Sequence, residues 1–292
     1  MSGAVARPLC LARATVDGAP SVVVALPDGG HAYASAGGRT FDDLPALLEA
    51  CGGDPAAIAP GAEVEVAEED LLSPVGRPPK IVCIGLNYRL HAEESGAPVP
   101  THPMLFPKWS TALTGPRADV PLPPESKFVD WESELAFVFA RRCRRVTAAD
   151  AAGVVFGYTV ANDTSMRDYQ THTTQFAAGK SWERATPVGP YVVSADALGG
   201  ARPDLAIRGR LNGRLVQDSR TDDLIFGIGE LVAYLTTIMT MEPGDLVLTG
   251  TPAGIGFTAD PPRSLRDGDV FEAEIEGLGS LRNRFVREVV AG

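Results

Sequence analysis

Short runs of apolar and polar residues, rather than long helical periods, organise most of this chain. Ala12 to Val16 and Ser21 to Leu26 are strand-like, and the turn signal Asp17-Gly18 separates them. Phe41 to Cys51 returns apolar residues at helical spacing, with Asp42 and Asp43 near its start. The stiff, turn-rich stretch Ser73-Pro74-Val75-Gly76-Arg77-Pro78-Pro79 follows and predicts a boundary between a small α+β domain, residues 1–76, and a larger domain, residues 77–292. Ile81 to Gly85 and Leu135 to Ala140 have the length of buried strands, and Val154 to Val160 returns to strand character. Thr147 followed by Asp150 predicts the start of a short helix.

The longest apolar-periodic helix is expected over Leu224 to Met241, opened by Thr221-Asp222-Asp223 and closed by Pro243-Gly244. Leu246 to Thr249, Val270 to Ile275 and Phe285 to Val290 are β again. No internal repeat marks a solenoid. Many short strands with few helices predict a β-rich α/β core rather than alternating βαβ units.

Composition narrows the class. At 292 residues, 45% apolar and 22% charged, the chain has an ordinary globular balance. It lacks the apolar run of about 18 residues that a membrane helix needs, so no membrane partner is expected. Met1 to Thr15 shows no signal-peptide pattern. Cys10, Cys51, Cys83 and Cys143 have no C-x-x-C spacing, which suits free thiols and a cytoplasmic location. A net charge of −11 argues against nucleic acid. Such an acidic surface can simply serve solubility, but for an anionic substrate a bound cation or an arginine cluster would have to invert the local field. Lysine occurs only at Lys80, Lys108, Lys127 and Lys180 in a chain otherwise rich in Arg, so each lysine is worth weighing for its compact, titratable ammonium.

Candidate chemistry gathers in several places. In Asp130-Trp131-Glu132-Ser133-Glu134, a strand would put Glu132 and Glu134 on one face, where two carboxylates repel unless a divalent cation sits between them. Exposed edge strands carry the same pattern. Asp163 ends a second apolar run, and Arg167 and Gln170 would share its face on a helix starting near Asp163. A capped surface helix is the alternative. Lys180 follows Gly179, a small residue that would let backbone approach a ligand. His91 and Glu94 are spaced to face the same way on a helix, the arrangement of a general base steadied by a carboxylate, although surface pairs look alike. The glycine-rich Thr249-Gly250-Thr251-Pro252-Ala253-Gly254 lacks both G-x-G-x-x-G and G-K-[ST]. It suits a loop offering backbone N–H groups and the Thr251 hydroxyl to a carboxylate better than a nucleotide site.

In order and spacing these pieces resemble the fumarylacetoacetate hydrolase family over roughly residues 80–288. Gly85-Leu86-Asn87-Tyr88, His91 with Glu94, Phe106-Pro107-Lys108, Glu132-Ser133-Glu134, Asn162-Asp163, Gly179-Lys180-Ser181, Gln217, Pro243-Gly244-Asp245 and Thr249-Gly250-Thr251 carry the resemblance. It implies a mixed β-sheet roll, a homodimer, and Mg²⁺, Mn²⁺ or Ca²⁺ held by Glu132, Glu134 and Asp163. It also implies a lid bearing His91 and Glu94, substrate-polarising Lys180 and Gln170, and substrate contacts from Arg167, Tyr88, Gly250 and Thr251. Where many members have Phe-Asp after Gly-Lys-Ser, this chain has Trp182-Glu183.

The activity so implied is hydrolysis of a C–C bond in a small anionic oxo-acid, acylpyruvate-like or β-diketo. Decarboxylation or isomerisation of a 2-oxo or 2-hydroxy-dienoic acid through the same enolate is the alternative. A non-catalytic metal- or ligand-binding protein is the third reading.

Overall fold

The computed structural model describes residues 8–289. Its first elements are β1 (Cys10–Val16), β2 (Ala19–Ala25), β3 (His31–Ala36) and α1 (Leu44–Ala50). Asp17 and Gly18 both take positive φ, 51° and 78°, in the two-residue turn that joins β1 to β2. Asp43 caps α1 by accepting the Ala46 N–H at 3.0 Å. The helix is shorter than the expected Phe41 to Cys51 because the residues on either side serve as its caps.

Next come β4 (Ile81–Gly85), α2 (Arg89–Glu94), β5 (Met104–Lys108), β6 (Val120–Leu122), β7 (Ser133–Phe139), β8 (Val155–Asn162), α3 (Arg167–Gln170) and α4 (Ala177–Lys180). The chain then runs through β9 (Thr186–Ser194), β10 (Ala206–Leu211), β11 (Arg214–Arg220), α5 (Ile228–Ile238), β12 (Leu246–Leu248), β13 (Val270–Ile275) and β14 (Gly279–Arg287). One large mixed sheet runs β3-β2-β1-β9-β8-β7-β12-β4-β5, and a smaller one runs β6-β14-β13-β10-β11. The mixed, β-rich α/β class expected from the sequence is the one observed. The large sheet is continuous across residues 73–79, since β1 pairs with β9 as Cys10 opposite Val193 and Leu11 opposite Val192.

β7 and β8 are buried along their whole length. Leu135, Phe137 and Phe139 join an apolar cluster with α5 and the small sheet, whereas Ala136, Val138 and Ala140 join another with α1 and β2. A strand covered on both faces shows no polar alternation, which is why β7 appears in the sequence as a continuous apolar run.

Local expectations failed in two places. The helix expected over Leu224 to Met241 spans only Ile228–Ile238, because Thr221–Asp223 form a separate 3-10 turn. Gly227 caps α5, and its N–H donates to Glu230 Oε2 at 2.9 Å. Asp163 does not start a helix. Ser165–Met166 first pair with Val129–Asp130, and α3 begins only at Arg167. Thr147 caps a short helix as expected, the 3-10 turn Ala148–Gly153. Of the expected strand Phe285 to Val290, Phe285 to Arg287 lie in β14, and Val290 is outside the described residues. Among the described residues, no helix is long and apolar enough to cross a membrane.

Strands β8 and β12 both run antiparallel to β7, and β4 runs parallel to β12. The carboxyl ends of β4, β8 and β12 therefore reach the same edge of the sheet, the edge at which β7 begins. Four segments, near residues 85–91, 130–134, 162–170 and 249–257, meet there.

Candidate metal centre and active site

Glu132, Glu134 and Asp163 converge at that edge. One carboxylate oxygen from each lies within 4.8 Å of the others, and all three residues are buried. Backbone contacts fix their spacing. The Glu132 N–H donates to Asn162 Oδ1 at 2.9 Å, and the Asp163 N–H donates to the Glu132 carbonyl at 2.9 Å. The Gly250 N–H donates to Glu134 Oε2 at 2.8 Å. Gly250 has a φ of +100°, and an added Cβ would lie 3.0 Å from that of Asn87. The chain therefore passes there only as glycine.

Three side-chain cations surround the carboxylates. Lys180 Nζ lies 2.6 Å from Glu132 Oε2 and 2.8 Å from Asp163 Oδ2. Lys108, also buried, donates to Asp163 Oδ1. Arg167 Nη2 sits 2.7 Å from Glu132 Oε1 and 2.8 Å from Asp130 Oδ2. Burial works to raise the Glu132 pKa, but the Lys180 and Arg167 charges outweigh it and hold it down to about 2. Burial would lower the Lys180 pKa, yet Asp163 and Glu132 push it up to about 12. Glu134 goes the other way, raised well above the usual carboxylate range by burial and by the charges of Asp163 and Glu132.

Among the described residues, four carboxylates, counting Asp130, thus face three cations, and Glu134 is the one without a salt bridge. A further hard cation suits such an all-oxygen donor set. The residues therefore fit a divalent ion bound by Glu132, Glu134 and Asp163.

Beside this centre lies a cavity of about 330 Å³. Its walls include Leu86, His91, Phe106, Gln170, Lys180 and Thr251. His91 Nδ1 is 3.2 Å from Glu94 Oε2 on the same turn of α2. Glu94 Oε1 accepts the Gly254 N–H at 3.0 Å, so the helix is fastened onto the glycine-rich loop. Burial tends to raise the Glu94 pKa, but the His91 and Gly254 hydrogen bonds bring it below the ordinary carboxylate value. At the base of α2, Asn87 is fully buried. Its side chain donates to the Thr249 carbonyl at 2.8 Å and accepts the Phe226 N–H at 2.8 Å.

Several expected residues sit at the site in other roles. The Thr251 hydroxyl donates to the Ser133 carbonyl at 3.0 Å and accepts from Gln217 Nε2 at 2.8 Å, while the residue lines the cavity. The Gly250 N–H serves Glu134. Tyr88 is fully buried among apolar side chains of the core, and its hydroxyl has no hydrogen-bond partner among the described residues. Gly179 admits not a ligand but α3, since a Cβ there would lie 2.5 Å from the Gln170 Cβ.

Four residues present in the sequence motifs had no role assigned by them: Asp130, Lys108, Asn162 and Gln217. The scarcity of lysine pointed at Lys108, and Asp130 stood two places before Glu132. Nothing local marked what they touch.

Residues 80–286 match the family model described as fumarylacetoacetate (FAA) hydrolase C-terminal. The chain belongs to the fumarylacetoacetate hydrolase family. It is similar to the mitochondrial oxaloacetate tautomerase FAHD2B of Bos taurus, 42% identical over 222 residues, which is 75% of this chain and 70% of that one. Among solved structures, it resembles 5-carboxymethyl-2-hydroxymuconate delta-isomerase from Mycobacterium smegmatis. That match has a TM-score of 0.75 at 31% identity and covers 96% of this chain and 100% of the other. It also resembles the fumarylacetoacetate hydrolase of Exiguobacterium antarcticum, with a TM-score of 0.79 at 30% identity over 96% of this chain and 100% of that one. The family and its fold are thus those that the order of motifs implied.

Proposed function

We propose that this protein moves a proton on a small anionic 2-oxo acid, as a tautomerase or isomerase that works through an enolate with the help of Mg²⁺ or Mn²⁺, Ca²⁺ being a third candidate. The observation that carries the reading is the hydrogen-bonded His91–Glu94 pair, whose His91 lines a small cavity together with Glu132, Glu134 and Lys180. A divalent cation held by Glu132, Glu134 and Asp163 would supply Lewis-acid stabilisation of negative charge on the substrate's oxygens.

The protein's own groups divide the rest. With its proton on Nδ1 toward Glu94, His91 presents the lone pair of Nε2, which accepts a proton from the carbon next to the carbonyl. The same imidazole returns that proton in the product tautomer. Lys180 has three N–H bonds; two go to Glu132 and Asp163, and the third is left for a substrate oxygen. Gln170 Oε1 accepts from Arg167 Nη1 at 2.9 Å, which leaves the Gln170 NH₂ to donate into the cavity. In well-studied sites a donor of this kind is worth about 3–4 kcal/mol to a developing oxyanion. The names of the tautomerase and isomerase relatives support this class of substrate and reaction.

C–C hydrolysis of an acylpyruvate-like or β-diketo acid is the second reading. It is favoured by the same dyad, which can take a proton from water, and by the likeness to a fumarylacetoacetate hydrolase. One set of assays separates the two. Decay of enol oxaloacetate is followed by absorbance, and acylpyruvate cleavage is run in ¹⁸O-water, with Mn²⁺ present in both. The first reading expects His91→Gln to slow enol decay by about 100-fold or more. Unchanged enol decay would reject His91 as the acid–base group. Label in a carboxylate product would establish hydrolysis.

A further inference from the structure

Asp130 is fully buried, and both of its oxygens are taken. Oδ1 accepts the Trp131 N–H at 2.9 Å and the Gly256 N–H at 2.7 Å. Oδ2 accepts Arg167 Nε at 2.8 Å and the Phe257 N–H at 3.0 Å. One carboxylate therefore holds two different things: the guanidinium that reaches Glu132, and the segment 254–257. That segment is what α2 fastens to. Gly254 gives its N–H to Glu94 and takes the Trp131 indole N–H on its carbonyl at 3.1 Å. No side chain fits at these two glycines. A Cβ on Gly254 would lie 1.9 Å from the Val216 carbonyl oxygen, and one on Gly256 would lie 2.0 Å from that of Arg263.

We propose that Asp130 is a positioning residue that couples the lid to the floor of the site, setting Arg167 and the catch for Glu94 from a single carboxylate. Asp130 does not itself line the cavity and does not touch His91, so it acts through Arg167 and Phe257, which do line it. The inference rests on the reading above only for the role given to His91; the coupling is a statement about contacts. The physical reason is that a buried carboxylate with four donors is a rigid junction. Asparagine in its place would point an NH₂ at N–H groups and take from the guanidinium one of its two carboxylates, leaving it Glu132. Loosening the 254–257 segment would release Glu94, and with it the orientation of the imidazole.

The test uses the full chain loaded with Mn²⁺ alone. In Asp130→Asn, amide hydrogen exchange over 89–96, which Asp130 does not contact, is expected to quicken by about tenfold or more. Mn²⁺ affinity should change by no more than about threefold, whereas removing a partner that directly orients a metal ligand typically costs about 10–100-fold. Glu94→Gln gives a second arm that leaves the core untouched. There α2 should exchange faster while the Gly256 and Phe257 amides stay protected, because Asp130 still holds them. Combining the two changes should add little at α2 beyond either alone. The proposal is overturned if α2 exchange in Asp130→Asn matches the parent, or if Mn²⁺ affinity falls by the larger factor with α2 unmoved. It is equally overturned if Gly256 and Phe257 lose protection in Glu94→Gln. Since none of these readouts is turnover, failure of the coupling and failure of the tautomerase reading are separate results.

Discussion

Lys108 shows how much of this site is invisible one residue at a time. It stands 55 positions from Asp163, yet the two form a buried ion pair with no exposed side-chain surface. Replacing Lys108 with Met removes one partner and leaves the Asp163 carboxylate with Lys180 alone. The expected cost is about 3–5 kcal/mol, read by urea denaturation of metal-free protein. Saturating Mn²⁺ should restore part of it, because a ligand that binds only the folded form adds stability by mass action.

Glu94 carries a pH signature. Its pKa on α2, bonded to Gly254, is below the ordinary value, so the fastening is complete above the usual carboxylate range of about 4.3 and is lost as pH falls through the lowered value. Amide protection of 89–96, corrected for intrinsic rates, should therefore decline only on the acid side in the parent. In Glu94→Gln it should be low and flat across the same range. A single residue type, a Glu three places after a His, was enough to suggest the pair. Its second contact, to Gly254, lies 160 positions away and had no local sign.

Among the elements, β4, β7, β8 and the strands after residue 246 were legible because each is an apolar run bounded by turn residues. The failures came from contacts that a one-dimensional pattern does not hold. Asp163, Arg167 and Gln170 have helical spacing, but pairing of Ser165–Met166 with Val129–Asp130 competes for the backbone and wins, and the helix is pushed to its last four residues. Arg167 and Gln170 still meet, now as direct hydrogen-bond partners. Gly179 illustrates the same limit: a glycine before a lysine suggests room for a ligand, while the room is used by a neighbouring helix. Gly179→Ala is expected to push α3 and α4 apart at a cost of about 1–3 kcal/mol, seen as a lowered Tm. It should also impair activity by displacing both Gln170 and Lys180.

Seen whole, the molecule places a charged centre at the edge of a sheet whose central strands are sealed on both faces. Phe137 belongs to one of those seals and is fully buried. Phe137→Ala should cost about 3–5 kcal/mol, measurable by denaturant midpoint, with the cavity cost included. The acidic balance of −11 also takes on a local meaning, since the basic groups that matter are drawn inward around the carboxylates.

The attachment of β1 to β9 has a consequence for anyone shortening this protein. The first strand shields part of the flank of β9, a strand whose residues are buried almost throughout. Cutting the chain after residue 76 would bare unpaired peptide groups along an apolar ribbon, the template on which strands of separate molecules zip together. Such a fragment would retain every carboxylate of the centre, yet it should emerge from expression as aggregate, and a hydrophilic replacement strand at that flank should rescue it.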